Sequence, residues 1–187
     1  IEQAVELLRS AKNPAILGGS RVTERSANEA LVELAETLGA PVITESGTTH
    51  GRLAFPSDHP LYGQGLPPWA PEIHERLKEF DVIFVTGMDL FRLYIHYEPA
   101  LAIPRHIKLI HLDESPREIG KNFPVEVGLV GNTLEGIQSV TAGLRASMTD
   151  QDRLLVEKRT IKWSGKHAVA REKLKEQIES EREQMPL

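Results

Sequence analysis

Apolar positions along this chain switch repeatedly between a helical spacing and short continuous runs. Apolar residues at three- and four-residue intervals from Ala4 to Ala11 predict an amphipathic helix that ends at Asn13-Pro14. The run Ala15-Ile16-Leu17 follows directly and ends at Gly18-Gly19, a pattern typical of a buried parallel strand. Runs of the same kind predict further strands at 41–44, 81–87, 107–113 and 127–131, with a short one near Tyr62.

Helical stripes separate these strands. Ser26 and Glu29 have the spacing of a capping box, which predicts a helix that begins at Ser26 and ends at Gly39. Another helix is predicted at 71–80, and Asn132 is expected to cap a helix that follows the last strand. Strands that alternate with helices predict a doubly wound α/β fold, Rossmann-like, with a mostly parallel sheet of about six strands and helices on both faces.

The composition changes near residue 149. Residues 150–185 are rich in Lys, Glu and Arg with widely spaced apolar residues, and we expect Gly165 to interrupt this stretch. We interpret 1–148 as one domain and 149–187 as a charged helical tail that lies on a neighbouring domain or links to one. Because the chain begins inside a helical pattern without an initiator Met, we expect it to be a segment of a longer polypeptide.

The overall composition restricts the classes of partner and of site. A formal net charge of −5 and a pI near 5.8 argue against nucleic acid or an anionic membrane as partner. No run of about 18 apolar residues predicts a membrane span. The absence of cysteine rules out thiolate chemistry and Cys-type zinc sites and fits a cytoplasmic location. The seven histidines lack the spacing of a metal-binding helix, so we predict no metal site and no catalytic residue.

Small and polar residues follow several predicted strands, at the edge where open α/β sheets bind ligands. A nucleotide placed there would have its phosphates at the glycines, its ribose at an acid and its distal end at an amide. Six residues form this predicted nucleotide crevice: Gly18, Gly19, Ser20, Asp113, Glu114 and Asn132. Turn geometry by itself also selects Gly, Asp and Asn, and composition alone favours that second interpretation.

The segment 18–23 does not complete a dinucleotide-binding fingerprint. It reads Gly-Gly-Ser-Arg-Val-Thr and lacks the second and third glycines of the motif. A phosphate-binding loop with its lysine is also missing from the sequence. An independent NAD-linked or deacylase-like domain is therefore the least supported alternative, and only fold analogy favours it.

Seven segments, taken in order, resemble the central domain of thiamine diphosphate-dependent decarboxylases and carboligases. They are Lys12-Asn13-Pro14 and the stretches 34–42, 54–62, 81–87, 110–113, 118–122 and 128–131. Their order and spacing agree with the family across about residues 1–144. The resemblance implies a parent chain of three α/β domains, of which this is the middle one.

In that family the catalytic parts lie in the flanking domains. A glutamate of the first domain activates the cofactor, and a Gly-Asp-Gly…Asn-Asn motif of the third holds its diphosphate and Mg²⁺. The resemblance therefore implies no catalytic residue in this chain. It implies instead a structural role, in which the chain packs against the flanking N- and C-terminal domains and helps to build a homo-oligomer.

Some branches of the family bind a nucleotide in the middle domain. The resemblance makes FAD, as in acetolactate synthase-like members, or ADP, as in oxalyl-CoA decarboxylase-like members, the alternative function. After Gly87, however, this chain has Met88-Asp89-Leu90-Phe91-Arg92 instead of the Ala-Arg and paired aspartates of the flavin-binding synthases, and Asn132 replaces their usual Asp. The Phe-Arg pair and the tyrosines after it resemble benzoylformate decarboxylase, which binds no nucleotide there. We expect a structural central domain whose parent acts on a 2-oxo acid.

Overall fold

The computed structural model describes residues 1–45, 53–91 and 101–184, and a parallel sheet lies at their centre. Its six strands are β1 (Pro14–Gly18), β2 (Val42–Thr44), β3 (Tyr62–Gly65), β4 (Val82–Thr86), β5 (Lys108–Asp113) and β6 (Val127–Val130). The helices are α1 (Glu2–Ser10), α2 (Ser20–Glu24), α3 (Asn28–Leu38), α4 (Ala70–Leu77), α5 (Thr133–Ser147) and α6 (Asp150–Gln184). The strand order is β3-β2-β1-β4-β5-β6, and every neighbouring pair is parallel. The predicted doubly wound α/β class is confirmed.

Two crossovers run in opposite directions along the sheet. α3 lies between β1 and β2, and α4 lies between β3 and β4, so right-handed connections place these two helices on opposite faces. α5 contacts both α1 and α3, so the three helices form one layer. The central strands β1 and β4 are fully buried, whereas the edge strands β3 and β6 keep partly exposed residues. The carboxyl ends of β1 and β4 therefore rest on the most enclosed part of the sheet.

The two ends of α3 show one correct and one wrong sequence prediction. Gly39 ends the helix with φ 60°, as predicted, because a residue without a Cβ adopts this left-handed conformation most easily. The predicted capping box at Ser26 is wrong, because the helix begins at Asn28. Helix α2, which sequence patterns did not predict, ends just before Ser26. The backbone N–H of Ser26 donates to Thr23, and its φ of 52° belongs to this tight turn.

The long helix α6 packs against the sheet domain with its first half only. The Trp163 ring stacks on Phe80 with their centroids 5.4 Å apart. Residues 171–183 are exposed along their whole length. The predicted interruption at Gly165 is wrong: the helix continues through it, because a glycine inside a helix costs only about 1 kcal/mol and the flanking turns stay helical. Neither α6 nor any other described helix is both long and apolar enough to cross a bilayer.

The predicted boundary at 148 coincides with a break between helices, since α5 ends at Ser147 and α6 begins at Asp150. The packing of Trp163 on the first part of the chain shows that α6 is not detached from it. Whether residues 149–187 are a separate unit stays a prediction.

Candidate functional site

The topological switch point of the sheet lies between β1 and β4, because the chain leaves these neighbouring strands in opposite directions. The six predicted crevice residues all lie along this carboxyl edge. Gly18 ends β1 and Ser20 begins α2, with Gly19 between them. Asp113 ends β5, with Glu114 next to it, and Asn132 caps α5. The expectation that these residues share one edge agrees with their placement.

The turns that follow β1 and β4 lie in direct contact above the switch point. The Gly19 amide donates to the Thr86 carbonyl at 3.0 Å, and the Arg21 amide donates to the Gly87 carbonyl at 3.0 Å. A Cβ added at Gly19 would lie 2.3 Å from the Cβ of Met88. Gly87 has φ 68°, and a Cβ added there would lie 2.8 Å from the backbone nitrogen of Val22. The absence of side chains at Gly19 and Gly87 therefore allows the two turns to pack closely against each other.

Arg21 joins the ends of β4 and β5 by two ion pairs. Its Nη1 lies 2.7 Å from Asp89 Oδ1, and its Nη2 lies 2.5 Å from Asp113 Oδ2. Asp113 is only 3% exposed, and its other oxygen accepts from the Ser115 amide at 2.8 Å. Burial alone would lower the pKa of Arg21, but the hydrogen bonds and charges of Asp89 and Asp113 outweigh it and raise this pKa. The acid predicted to hold a ribose thus already has a partly buried cation as partner.

Glu114 forms a second, more exposed pair with α2. Its two carboxylate oxygens accept from Arg25 Nε and Nη2 at 2.7 and 2.8 Å. The hydrogen bond to Arg25 lowers the pKa of Glu114. Asn132 uses its side-chain oxygen to accept from the Leu134 and Glu135 amides at 2.9 and 3.2 Å, as the cap prediction expected.

Ser20 contacts Glu45, the residue that directly follows β2. Its backbone N–H, at the start of α2, donates to Glu45 Oε2 at 3.3 Å. Each of the four polar residues predicted to face a nucleotide in this crevice, Ser20, Asp113, Glu114 and Asn132, therefore has at least one intramolecular hydrogen bond.

His111 lies beneath this network and escaped sequence analysis. It is fully buried in β5, its Nε2 is 3.9 Å from Asp113 Oδ2, and neither ring nitrogen has a partner of good hydrogen-bond geometry within the described part of the chain. Burial lowers the pKa of His111, and the Asp113 carboxylate offsets part of that effect. A neutral ring therefore faces the carboxylate that Arg21 neutralises.

Sequence analysis also missed Arg21 and Arg25, the two cations of the site. Arg21 lies on the short helix α2 and Arg25 is its C-cap residue. The signal available was a pair of arginines four residues apart shortly after the first strand. No group of three His, Asp or Glu side chains in the described part of the chain is placed to hold a metal ion. Arg92 and the tyrosines after it lie outside the described residues.

Comparison with known proteins places these features in a family. A family model described as thiamine pyrophosphate enzyme, central domain, matches residues 1–140. Sulfoacetaldehyde acetyltransferase of Roseovarius nubinhibens is 34% identical over 157 residues, which cover 82% of this chain and 25% of that protein. The acetolactate synthase large subunit of Corynebacterium glutamicum is 32% identical over 154 residues, which cover 81% of this chain and 24% of that protein.

A solved structure similar to this chain also belongs to a thiamine diphosphate-dependent enzyme. The thiamine diphosphate-dependent 4-hydroxybenzoylformate decarboxylase of Rhodococcus jostii RHA1 matches with a TM-score of 0.67 at 30% identity, over 75% of this chain and 26% of that one. The chain thus spans about a quarter of the length of the proteins that it matches.

Proposed function

We propose a function from one premise: the chain belongs to the central-domain family of thiamine pyrophosphate enzymes. Its role is that of a structural central domain in a larger enzyme whose catalytic groups lie in flanking N- and C-terminal domains. The observation that carries this proposal is the closed switch point. Gly19 meets Met88 there, and Arg21 is held by Asp89 and Asp113, so the side chains that could serve a reaction stabilise the domain instead.

The residues of this chain do not fit a thiamine diphosphate site of their own. The sequence contains no Gly-Asp-Gly segment, and the described residues offer no cluster of metal ligands. We therefore assign the binding of thiamine diphosphate and Mg²⁺ to the flanking domains of the parent protein. The cofactor supplies the carbanion chemistry there, and the parent is a decarboxylase or carboligase that acts on a 2-oxo acid. A homo-oligomeric, cytoplasmic parent completes the proposal.

Assay of the purified 187-residue chain tests this role. With thiamine diphosphate and Mg²⁺ present, we expect no CO₂ release from pyruvate or benzoylformate and no heat on calorimetric titration with the cofactor. Far-ultraviolet circular dichroism confirms in the same sample that the chain is folded. Turnover of either 2-oxo acid, or saturable cofactor binding by the folded chain, would show that catalytic groups lie within it.

Binding of FAD or ADP at the strand-end crevice is the second candidate function. It is favoured by the convergence of the six crevice residues at one edge and by the cations Arg21 and Arg25, which lie there too. Calorimetric titration with each nucleotide, and a visible spectrum of the purified protein, separate the two candidates. Saturable heat or a flavin absorbance band would make the crevice a nucleotide site. Their absence supports the structural role.

A further inference from the structure

A cavity of about 240 Å³ lies beside the edge strand β3, between this strand, α4 and α6. Its walls include the aromatic side chains of Tyr62, Phe80 and Trp163, with Ala170 on the α6 side. It continues into a wider groove between β3 and the exposed half of α6. None of its lining residues belongs to the strand-end crevice described above.

Arg76 is the unusual group in this cavity. Its guanidinium donates to the Gly63 carbonyl, and it forms no ion pair with any described residue. Burial lowers the pKa of Arg76. The other cation at the cavity wall, Lys166, is neutralised by Glu79 at 2.9 Å. Arg76 is thus a half-buried positive charge without a counter-ion, which is a costly arrangement unless an anion completes it.

The surroundings of Arg76 fit an anion with an apolar body. The Tyr62 hydroxyl has no hydrogen-bond partner among the described residues, so it is free to donate to a ligand. Arg171 and Lys173 line the adjoining groove with one acid, Asp58, so the groove carries a local excess of positive charge that attracts anions. The volume corresponds to about eight waters at roughly 30 Å³ each, which is room for one ring and one acidic group.

We propose that this cavity binds a small organic carboxylate of single-ring size. The carboxylate takes the free donors of Arg76 in a bidentate geometry, which the planar guanidinium favours. The ring of the ligand lies against Tyr62 and Phe80. A ligand here contacts both β3 and α6, so it acts on the packing of α6 against β3.

Calorimetry on the 187-residue chain with benzoate as probe tests the proposal, and Trp163 gives a second readout by indole NMR. We expect saturable benzoate binding in the millimolar range or tighter. Benzamide, which has the same ring without the charge, should bind at least tenfold more weakly, and inorganic phosphate, which has charge without a ring, should also bind more weakly. Equal binding of benzoate and benzamide, or no saturable benzoate binding, would overturn the proposal.

Two pairs of variants localise the site. Arg76→Gln should weaken benzoate binding at least tenfold, whereas Arg105→Gln, at an exposed arginine outside the cavity, should leave it unchanged. Because Arg76 also holds the Gly63 carbonyl, a second pair removes no native contact. Ala170→Glu places a carboxylate at the cavity wall and should abolish benzoate binding, while Ala170→Gln, of equal size, should weaken it less. Unchanged binding in Arg76→Gln or in Ala170→Glu would refute the site. These measurements need no thiamine diphosphate, so they are independent of the proposed central-domain role.

Discussion

Replacing Arg21 with Met tests whether the buried ion pairs hold the switch point closed. In the variant, Asp113 keeps its hydrogen bond from the Ser115 amide but loses the guanidinium that lies 2.5 Å away. Because Asp113 is only 3% exposed, water cannot replace that cation. Removing one partner of a buried pair typically costs about 3–5 kcal/mol. The Arg21 side chain is 28% exposed, so solvent reaches part of the pair and we expect a loss of about 2–3 kcal/mol of unfolding free energy.

Urea unfolding and thermal scans measure this loss. For a chain of this size, 1 kcal/mol shifts Tm by about 2–4 °C, so the Arg21→Met variant should melt about 4–12 °C lower. The matched control is Arg25→Met, at the C-cap of the same helix. The Arg25–Glu114 pair is 45% and 32% exposed, and pairs of that kind contribute about 0–1 kcal/mol.

A double mutant then separates the lost pair from lost packing. Adding Asp113→Asn to Arg21→Met removes the uncompensated charge and should recover about 1–3 kcal/mol, the size expected for two residues in contact. The reasoning is refuted if Arg21→Met and Arg25→Met destabilise the protein equally, or if Asp113→Asn deepens the defect of Arg21→Met.

Further predictions concern the packing of α6 and the buried histidine. Trp163→Ala should lower the unfolding free energy by about 3 kcal/mol in urea titrations, because it removes a large aromatic side chain that is 8% exposed. Gly39→Ala should cost more than about 1 kcal/mol, since φ is 60° and the added Cβ would lie 2.5 Å from the Val156 carbonyl oxygen; a smaller cost would show that the turn relaxes. Because the folded pKa of His111 is below its ordinary 6.5, the unfolded chain binds the extra proton first, so stability is full above pH 6.5 and falls by up to about 1.4 kcal/mol per pH unit below it. His111→Phe should flatten this slope between pH 7 and 5. Ending the chain at Ala170 should shift Tm by less than about 2 °C, because residues 171–183 are exposed; a larger shift would show that the removed segment stabilises the domain.

Local signals predicted the fold well wherever a single residue decides the backbone. Gly39 ends α3 because glycine adopts the left-handed conformation most easily, and Asn132 caps α5 because its side chain reaches the first free amides. The capping-box prediction at Ser26 was wrong because the role of this residue depends on α2, a five-residue helix that is too short to show an apolar periodicity. The predicted interruption at Gly165 was wrong because the low helix propensity of one glycine does not break a long helix.

The candidate site divides in the same way. That Gly18 and Asp113 share an edge follows from the rule that parallel strands end together, which needs no knowledge of contacts. That Arg21 contacts Asp113 does not follow, because the two residues are 92 positions apart and their meeting depends on the strand order. His111 carried no signal, since a histidine within an apolar run looks like any strand residue.

Ligand binding at the switch point and closure of the switch point compete for the same groups. A diphosphate that approached the β1 turn would need the space in which Gly19 now meets Met88, and it would have to separate two turns joined by backbone hydrogen bonds. Arg21, the nearest cation, would have to leave Asp113, and a carboxylate that is 3% exposed would then lose its counter-charge. The contacts of any bound nucleotide must therefore offset the free energy of both rearrangements. Because of these costs, we expect this edge to act as a structural contact between the two turns rather than as a nucleotide site.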